Sequence, residues 1–209
     1  FIPVIGCAGI CLLMHYVIGG PLGALTTALT TMLNNLGTGN LVLLGIVQGC
    51  MLAFDMGGPC NKVAYAFALA CMETGNYAPM AANFVACCAP PLAMAFAMLV
   101  APKKFTKEDR TGIAGCFAGA LCMITEFAIP YAAKNLKYIP CFMVGSAVGS
   151  VMSYLWGITI RAPHGGVFVV FAMNKVIPFF ICLIVAGAVS AALIVLVSKT
   201  KTEQELAED

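Results

Sequence analysis

The chain has 209 residues, of which 61% are hydrophobic and 10% charged, with a mean hydropathy of +0.96. A soluble domain carries about 25% charged residues, so this is a bilayer composition. The net charge of +2 leaves no basic stripe for nucleic acid, and the few lysines and arginines serve better as topology signals.

Phe1-Ile2-Pro3 brings neither a Met nor a charged n-region, and the apolar stretch it opens, ending near Ile18, reads as a spanning helix entered midway. The chain is therefore expected to be a fragment lacking its upstream part. His15, on this plain apolar helix, reads as a core residue, and Asn34, Asn35 and Asn40 as an interfacial loop. Stretches 41–54 and 63–72 are apolar but shorter than the roughly 20 residues a span needs. Asp55-Met56-Gly57-Gly58-Pro59 separates them, which predicts two half-helices around a break, with Glu73 a solvated end charge.

Stretches 79–100, 138–160 and 176–197 are charge-free and long enough to cross. Between the first two, 111–125 is short and runs into Glu126 and Pro130, a pattern that suits a re-entrant hairpin. The positive-inside rule puts the basic loop 103–110 and the tail beginning Lys199-Thr200-Lys201 in the cytoplasm. An even number of crossings must lie between them, so the Glu126 and His164 segments either dip in and return, the arrangement expected, or both cross as a pair. Small residues four apart, Gly19/Gly23, Gly45/Gly49, Gly115/Gly119 and Gly145/Gly149, mark close helix packing. The fold class expected is an all-α polytopic transmembrane bundle with broken helices, over 1–198, followed by a polar tail, 199–209.

The eleven cysteines are scattered through apolar runs without a C-x-x-C or ligand spacing, so they read as small buried hydrophobes and no metal site is expected. Cys7 and Cys11 share a helix face. No nucleotide-binding or hydrolase motif is present, and no cofactor is implied.

What remains polar at depth carries the function, because a charge in hydrocarbon costs several kcal/mol, about 2.5–3.5 on insertion scales. Asp55 and Lys62 bracket the first break and are expected either to clamp the broken helix or to contact the solute directly, with Asn61 the likelier direct ligand. Glu126 can accept hydrogen bonds from two neighbouring sugar hydroxyls; the competing reading is an ion pair with Lys134. His164 lies in Arg161-Ala162-Pro163-His164-Gly165-Gly166, where the backbone is free to bend. An imidazole there can hold a hydroxyl, or take its proton as it attacks a phosphoryl donor.

Phe54-Asp55-Met56-Gly57-Gly58-Pro59-Cys60-Asn61-Lys62, Ile124-Thr125-Glu126-Phe127-Ala128-Ile129-Pro130 and Ala162-Pro163-His164-Gly165-Gly166 resemble, in this order, motifs of the fructose-family membrane IIC components of the bacterial phosphotransferase system. The resemblance covers nearly the whole chain and implies the C-terminal two-thirds or so of a IIC domain in the cytoplasmic (inner) membrane. It implies group translocation, in which a sugar is taken up and phosphorylated from a IIB phosphocysteine fed by IIA and the general carriers. The phosphocysteine lies on another domain or chain. It implies a homodimer in lipid that moves its sugar-binding part like an elevator. On this footing Glu126 and His164 line the sugar site, with Asn61, Thr125 and Gly165 beside them, His164 catalytic, and Asp55, Lys62 and Arg161 in support. The family has Gly before Ile-Thr-Glu and a small residue after it, where this chain has Met123 and Phe127, so the sugar is fructose or a fructose-like hexose or polyol. Two other classes stay open: a secondary transporter with Asp55 or Glu126 as carrier carboxylate, and a non-transporting membrane scaffold.

Overall fold

The computed structural model describes residues 2–13, 24, 27–28, 31 and 40–198. Residues 14–18 of the first apolar stretch, with His15, and the Gly19/Gly23 pair, Asn34, Asn35 and the tail 199–209 lie outside the described residues. The helices are α1 (Ile2–Leu13), α2 (Leu41–Phe54), α3 (Pro59–Glu73), α4 (Ala78–Val100), α5 (Lys107–Thr111), α6 (Ile113–Cys122), α7 (Ile129–Lys134), α8 (Tyr138–Leu155) and α9 (Val176–Val197). Short 3₁₀ turns span Pro102–Lys104, Thr125–Ala128 and Gly166–Ala172. Among the described residues, α4, α8 and α9 are long and apolar enough to cross a membrane. The fold is all-α, as the composition and periodicity predict.

Helix α8 is the axis against which direction can be read. Gly45 and Gly49 of α2 come so near it that a Cβ would meet the backbone of Val151 at 2.9 Å and of Ala147 at 2.6 Å. The order of these contacts makes α2 antiparallel to α8. Ser150 Oγ donates to the Ala82 carbonyl (3.4 Å) and Ser146 Oγ to that of Ala86 (3.0 Å), so α4 is antiparallel to α8 as well. Ser190 Oγ donates to the Cys141 carbonyl (3.0 Å) while Gly149 lies against Ala186 and Cys182, which runs α9 the same way. Because α2 and α4 are parallel, α3 must run back between them, and 55–58 is the tip of a helical hairpin. A buried polar knot ties these helices: Gln48 Nε2 donates to Asn83 Oδ1 (2.6 Å) and to the Pro79 carbonyl (3.0 Å), while Tyr154 Oη donates to Gln48 Oε1.

Two more hairpins enter from opposite ends of the bundle. At the end where α8 begins, the α6–turn–α7 segment returns to its own start: Tyr131 Oη donates to the Asp109 carbonyl (3.1 Å) and Lys134 Nζ lies 2.7 Å from Asp109 Oδ1. At the end where α8 stops, Asn174 N donates to the Thr159 carbonyl (3.1 Å), Arg161 N to that of Ala172 (3.3 Å), and Ile160 pairs with Met173. This ladder corrects the expected 138–160 span. Helix α8 ends at Leu155, Gly157 turns at φ 60°, and 158–160 form one leg of the His164 hairpin.

The basic loop meets the last helix directly. Lys104 Nζ donates to the carbonyls of Val195 (2.6 Å) and Ser198 (2.9 Å), satisfying acceptors that the end of α9 leaves open. The loop after α4 and the end of α9 therefore share one end of the bundle.

Candidate functional site

The three Gly/Pro-broken islands converge on one cavity of about 200 Å³. Asn61 and Lys62 come from the start of α3, Ile124, Thr125 and Glu126 from the turn after α6, and His164 from the tip of the third hairpin. Cys87 is also in the wall. It lies near the middle of the 23-residue α4, so the cavity is at mid-depth of the bundle, where broken helices build solute sites.

Each break has a local cause. After α2, Met56 (φ 44°) and Gly57 (φ 111°) turn the chain, and Pro59 opens α3, where its missing N–H costs nothing. The Asp55 carboxylate accepts from the N–H of Cys60 (2.6 Å) and Asn61 (3.0 Å), capping α3 from the other side of the turn. Asn61 Nδ2 donates to the Leu52 carbonyl (2.6 Å), closing the hairpin. The expected Asp55–Lys62 clamp is thus made by Asp55 with the backbone, and Lys62 is released to the cavity.

Helix α6 stops because Met123 adopts the left-handed conformation (φ 64°, ψ 38°). Glu126 follows on a 3₁₀ turn, and Gly57 lies against it so closely that a Cβ would overlap the carboxylate. The Glu126 counter-charge is Lys62, with Nζ 3.7 Å from Oε1. The competing reading, a pair with Lys134, is not what the structure shows: α7 carries Lys134 back to Asp109 and to Glu108, 3.7 Å away. Phe127 packs over Gly115 and Gly119, whose missing side chains make room for its ring. The Gly115/Gly119 pair thus accommodates a side chain, not a neighbouring helix backbone. On the far side of Glu126 is a wider apolar groove of about 410 Å³, walled by Phe127, Pro130 and Tyr131.

His164 is held by its neighbours. Tyr65 Oη donates to the Pro163 carbonyl (2.9 Å), and the Tyr65 ring meets the imidazole edge-on at 6.4 Å between centroids. Gly165 (φ 128°) and Gly166 (φ 59°) turn the loop, and Gly166 presses on the carbonyl of Leu121 at the end of α6. That contact docks the third hairpin on the second and brings His164 to the same cavity as Glu126.

Of the residues singled out in the sequence, Asn61, Lys62, Thr125, Glu126 and His164 line the cavity. Gly165 shapes the loop behind it, packed toward Val169, and Arg161 turns away with its guanidinium 5.7 Å over the Tyr77 ring. Sequence reasoning missed Tyr65 and Cys87, and took Met123 only as a departure from the resembled motif, not as the cap that ends α6. Met123 had a signal, since a residue ending an apolar helix before a new motif is a natural left-handed cap. Cys87 had none: it lies one turn before Pro91, which leaves the Cys87 carbonyl without its intrahelical donor, in a helix that reads as uniform core. The described cysteines are all free, and no cluster of metal-ligand type occurs among the described residues.

Comparison with known proteins finds relatives over nearly the whole chain. It is 40% identical over 202 residues, 97% of its length and 66% of the relative, to the "Fructose permease IIC component" of Bacillus amyloliquefaciens. It is 42% identical over 193 residues, 92% of its length and 30% of the relative, to the "PTS system fructose-specific EIIABC component" of Bacillus subtilis. It is also 42% identical over 201 residues, 95% of its length and 55% of the relative, to the "Fructose-like permease IIC component 2" of Escherichia coli. The chain spans about two-thirds or less of these curated relatives. No protein-family model matches the chain. No solved structure matches it.

Proposed function

The chain belongs to the fructose family of phosphotransferase-system IIC permease components, and from that premise we propose that it forms the sugar pathway of a group-translocating permease. Its substrate is fructose or a fructose-like hexose or polyol, phosphorylated as it passes. The observation that carries this reading is the meeting of three distant breaks on one mid-depth cavity that presents a carboxylate, an ammonium, an imidazole, an amide and a hydroxyl. Such a set suits a ligand made of hydroxyl groups better than a bare ion.

Glu126 accepts hydrogen bonds from two adjacent sugar hydroxyls, each charge-assisted and worth about 1.5–3 kcal/mol. Thr125 and Asn61 flank it, and Gly165, behind the cavity, lets the loop turn so that His164 faces the ring. His164 takes the proton from the hydroxyl that attacks phosphorus. An O–P bond forms, the S–P bond of a IIB phosphocysteine breaks, and the thiolate leaves with the carrier. The B. subtilis relative, named EIIABC, supports a IIB partner for this chain, fused or separate, with IIA and the general carriers upstream. The bond from Lys104 to the end of α9 supports a common cytoplasmic face for the 103–110 loop and the tail, the face from which IIB delivers. The permease works as a homodimer in the cytoplasmic membrane, the three hairpins travelling with the sugar.

The test is phosphoenolpyruvate-dependent phosphorylation of labelled fructose by membranes holding the full-length protein and the general carriers. Phosphate on fructose, lost in Glu126→Gln and His164→Ala, is the expected result. If fructose is unmodified, the same assay on mannose, mannitol and related polyols decides the substrate; silence across that panel overturns the reading, and uncoupler-sensitive uptake of unmodified sugar would point to ion-coupled transport.

A further inference from the structure

Resting on that reading, we propose that Lys62 is a catalytic residue that carries the negative charge of the phosphoryl group during transfer, and not a sugar ligand or a structural clamp. Among the residues lining the cavity, Lys62 is the one fixed cation, and it faces the fixed anion Glu126. A neutral sugar needs no ammonium, since amides, hydroxyls and a carboxylate can satisfy its hydroxyls. A phosphoryl group differs: it brings up to two negative charges to a cavity already holding a carboxylate, and phosphoryl transfer is catalysed chiefly by cations that take up the charge on its equatorial oxygens.

The geometry leaves Lys62 available for this work. Its backbone is anchored in the first turn of α3, with its N–H on the Gly58 carbonyl at 3.0 Å. Its side chain is 64% exposed, makes no hydrogen bond among the described residues, and touches Glu126 only at 3.7 Å, beyond hydrogen-bond range. Asp55, the other acid near this turn, has its carboxylate on two backbone N–H groups. A structural clamp would show the reverse pattern, a close ion pair and a buried ammonium.

A sequence of contacts follows. Before sugar arrives, Glu126 and Lys62 neutralise one another. Sugar hydroxyls donate to Glu126, and the ammonium swings to the incoming phosphoryl oxygens. The sugar oxygen bonds to phosphorus, the donor's S–P bond breaks with its electron pair on sulfur, and the hydroxyl proton goes to His164. Lys62 gains and loses no proton.

The experiment compares the full-length wild type with Lys62→Met and Lys62→Arg in membranes, measuring binding of labelled fructose, binding of fructose phosphate, and steady-state phosphorylation. Lys62→Met is expected to bind fructose within about threefold of wild type or more tightly, since Glu126 is freed, to lose fructose phosphate binding, and to drop about 100-fold or more in kcat. Lys62→Arg should recover much of both losses by restoring the charge. Thermal unfolding in detergent checks that each variant folds, and if Lys62→Met does not, Lys62→Gln takes its place. Wild-type kcat in the uncharged variant, or a loss of fructose binding equal to the loss of fructose phosphate binding, overturns the assignment. Should the wild type itself phosphorylate nothing, the group-translocation reading fails, and the fructose phosphate binding arm alone still decides whether Lys62 is an anion-binding group.

Discussion

Tyr65 on α3 donates its hydroxyl to the carbonyl of Pro163 at 2.9 Å and sets the edge of its ring against the next residue, His164. One side chain thus fixes the loop of the third hairpin to the first. Tyr65→Phe keeps the ring contact and removes the tether, worth about 1 kcal/mol, so kcat should fall about fivefold with little change in KM. Tyr65→Ala removes both and should cost more than tenfold. Steady-state phosphorylation by the two variants checks this, and a change confined to KM would mean that Tyr65 holds sugar and does not position the imidazole.

Gly166 supports the same docking from the other side. It combines φ 59° with a position where a Cβ would strike the Leu121 carbonyl, whereas Gly157, with φ 60°, has only the Lys175 ammonium nearby, at 3.7 Å. Gly157→Ala therefore bears only the backbone cost, about 1 kcal/mol, while Gly166→Ala adds overpacking and should approach about 3 kcal/mol. Thermal unfolding in detergent separates them. Equal destabilisation would show that the hairpin can shift off α6 without loss.

The polar islands were legible in the sequence because a charge beside Gly and Pro in an apolar chain has few other uses. Glu126, His164, Asn61 and Thr125 all reach the cavity. Their pairing was not legible. Lys134 is nearer to Glu126 in sequence than Lys62 is, but α7 reverses direction, and only the meeting of two hairpins brings Lys62 alongside. The three long helices were equally readable from length and hydropathy, yet the end of α8 was not: 156–160 stays apolar while its backbone leaves the helix to pair with 172–174. Hydropathy records the environment of these residues, and in this segment two backbone geometries share it.

Met123 caps α6 at φ 64°, a region costly for any residue with a Cβ. Its side chain is also buried, 4% exposed, so truncation leaves a cavity in either variant tested. Met123→Ala should destabilise by about 2–4 kcal/mol, and Met123→Gly by less, because glycine recovers the left-handed penalty. Within an ordinary helix the order would be the opposite. Unfolding midpoints of the two variants decide, and alanine ranking above glycine would place the strain elsewhere.

The closure of the α6–α7 hairpin is sensitive to acid. Burial pushes the Asp109 carboxyl upward, but hydrogen bonds from Lys134 and Thr106, together with the Lys134 charge, outweigh it and hold its pKa below the ordinary carboxylate value. A group depressed in the folded state contributes stability that is complete above its unfolded pKa, about 3.9, and that is lost as pH falls through the lower folded value. The wild type should therefore lose stability through the window just below pH 3.9, while Asp109→Asn should already lack this contribution at neutral pH and be flatter there. Lys134→Met should flatten the profile in the same window, since the bond from Thr106 N–H alone holds the carboxyl less firmly. Unfolding midpoints between about pH 5 and pH 3 distinguish the three proteins. A steep acid loss preserved in Asp109→Asn would assign the transition to another carboxylate.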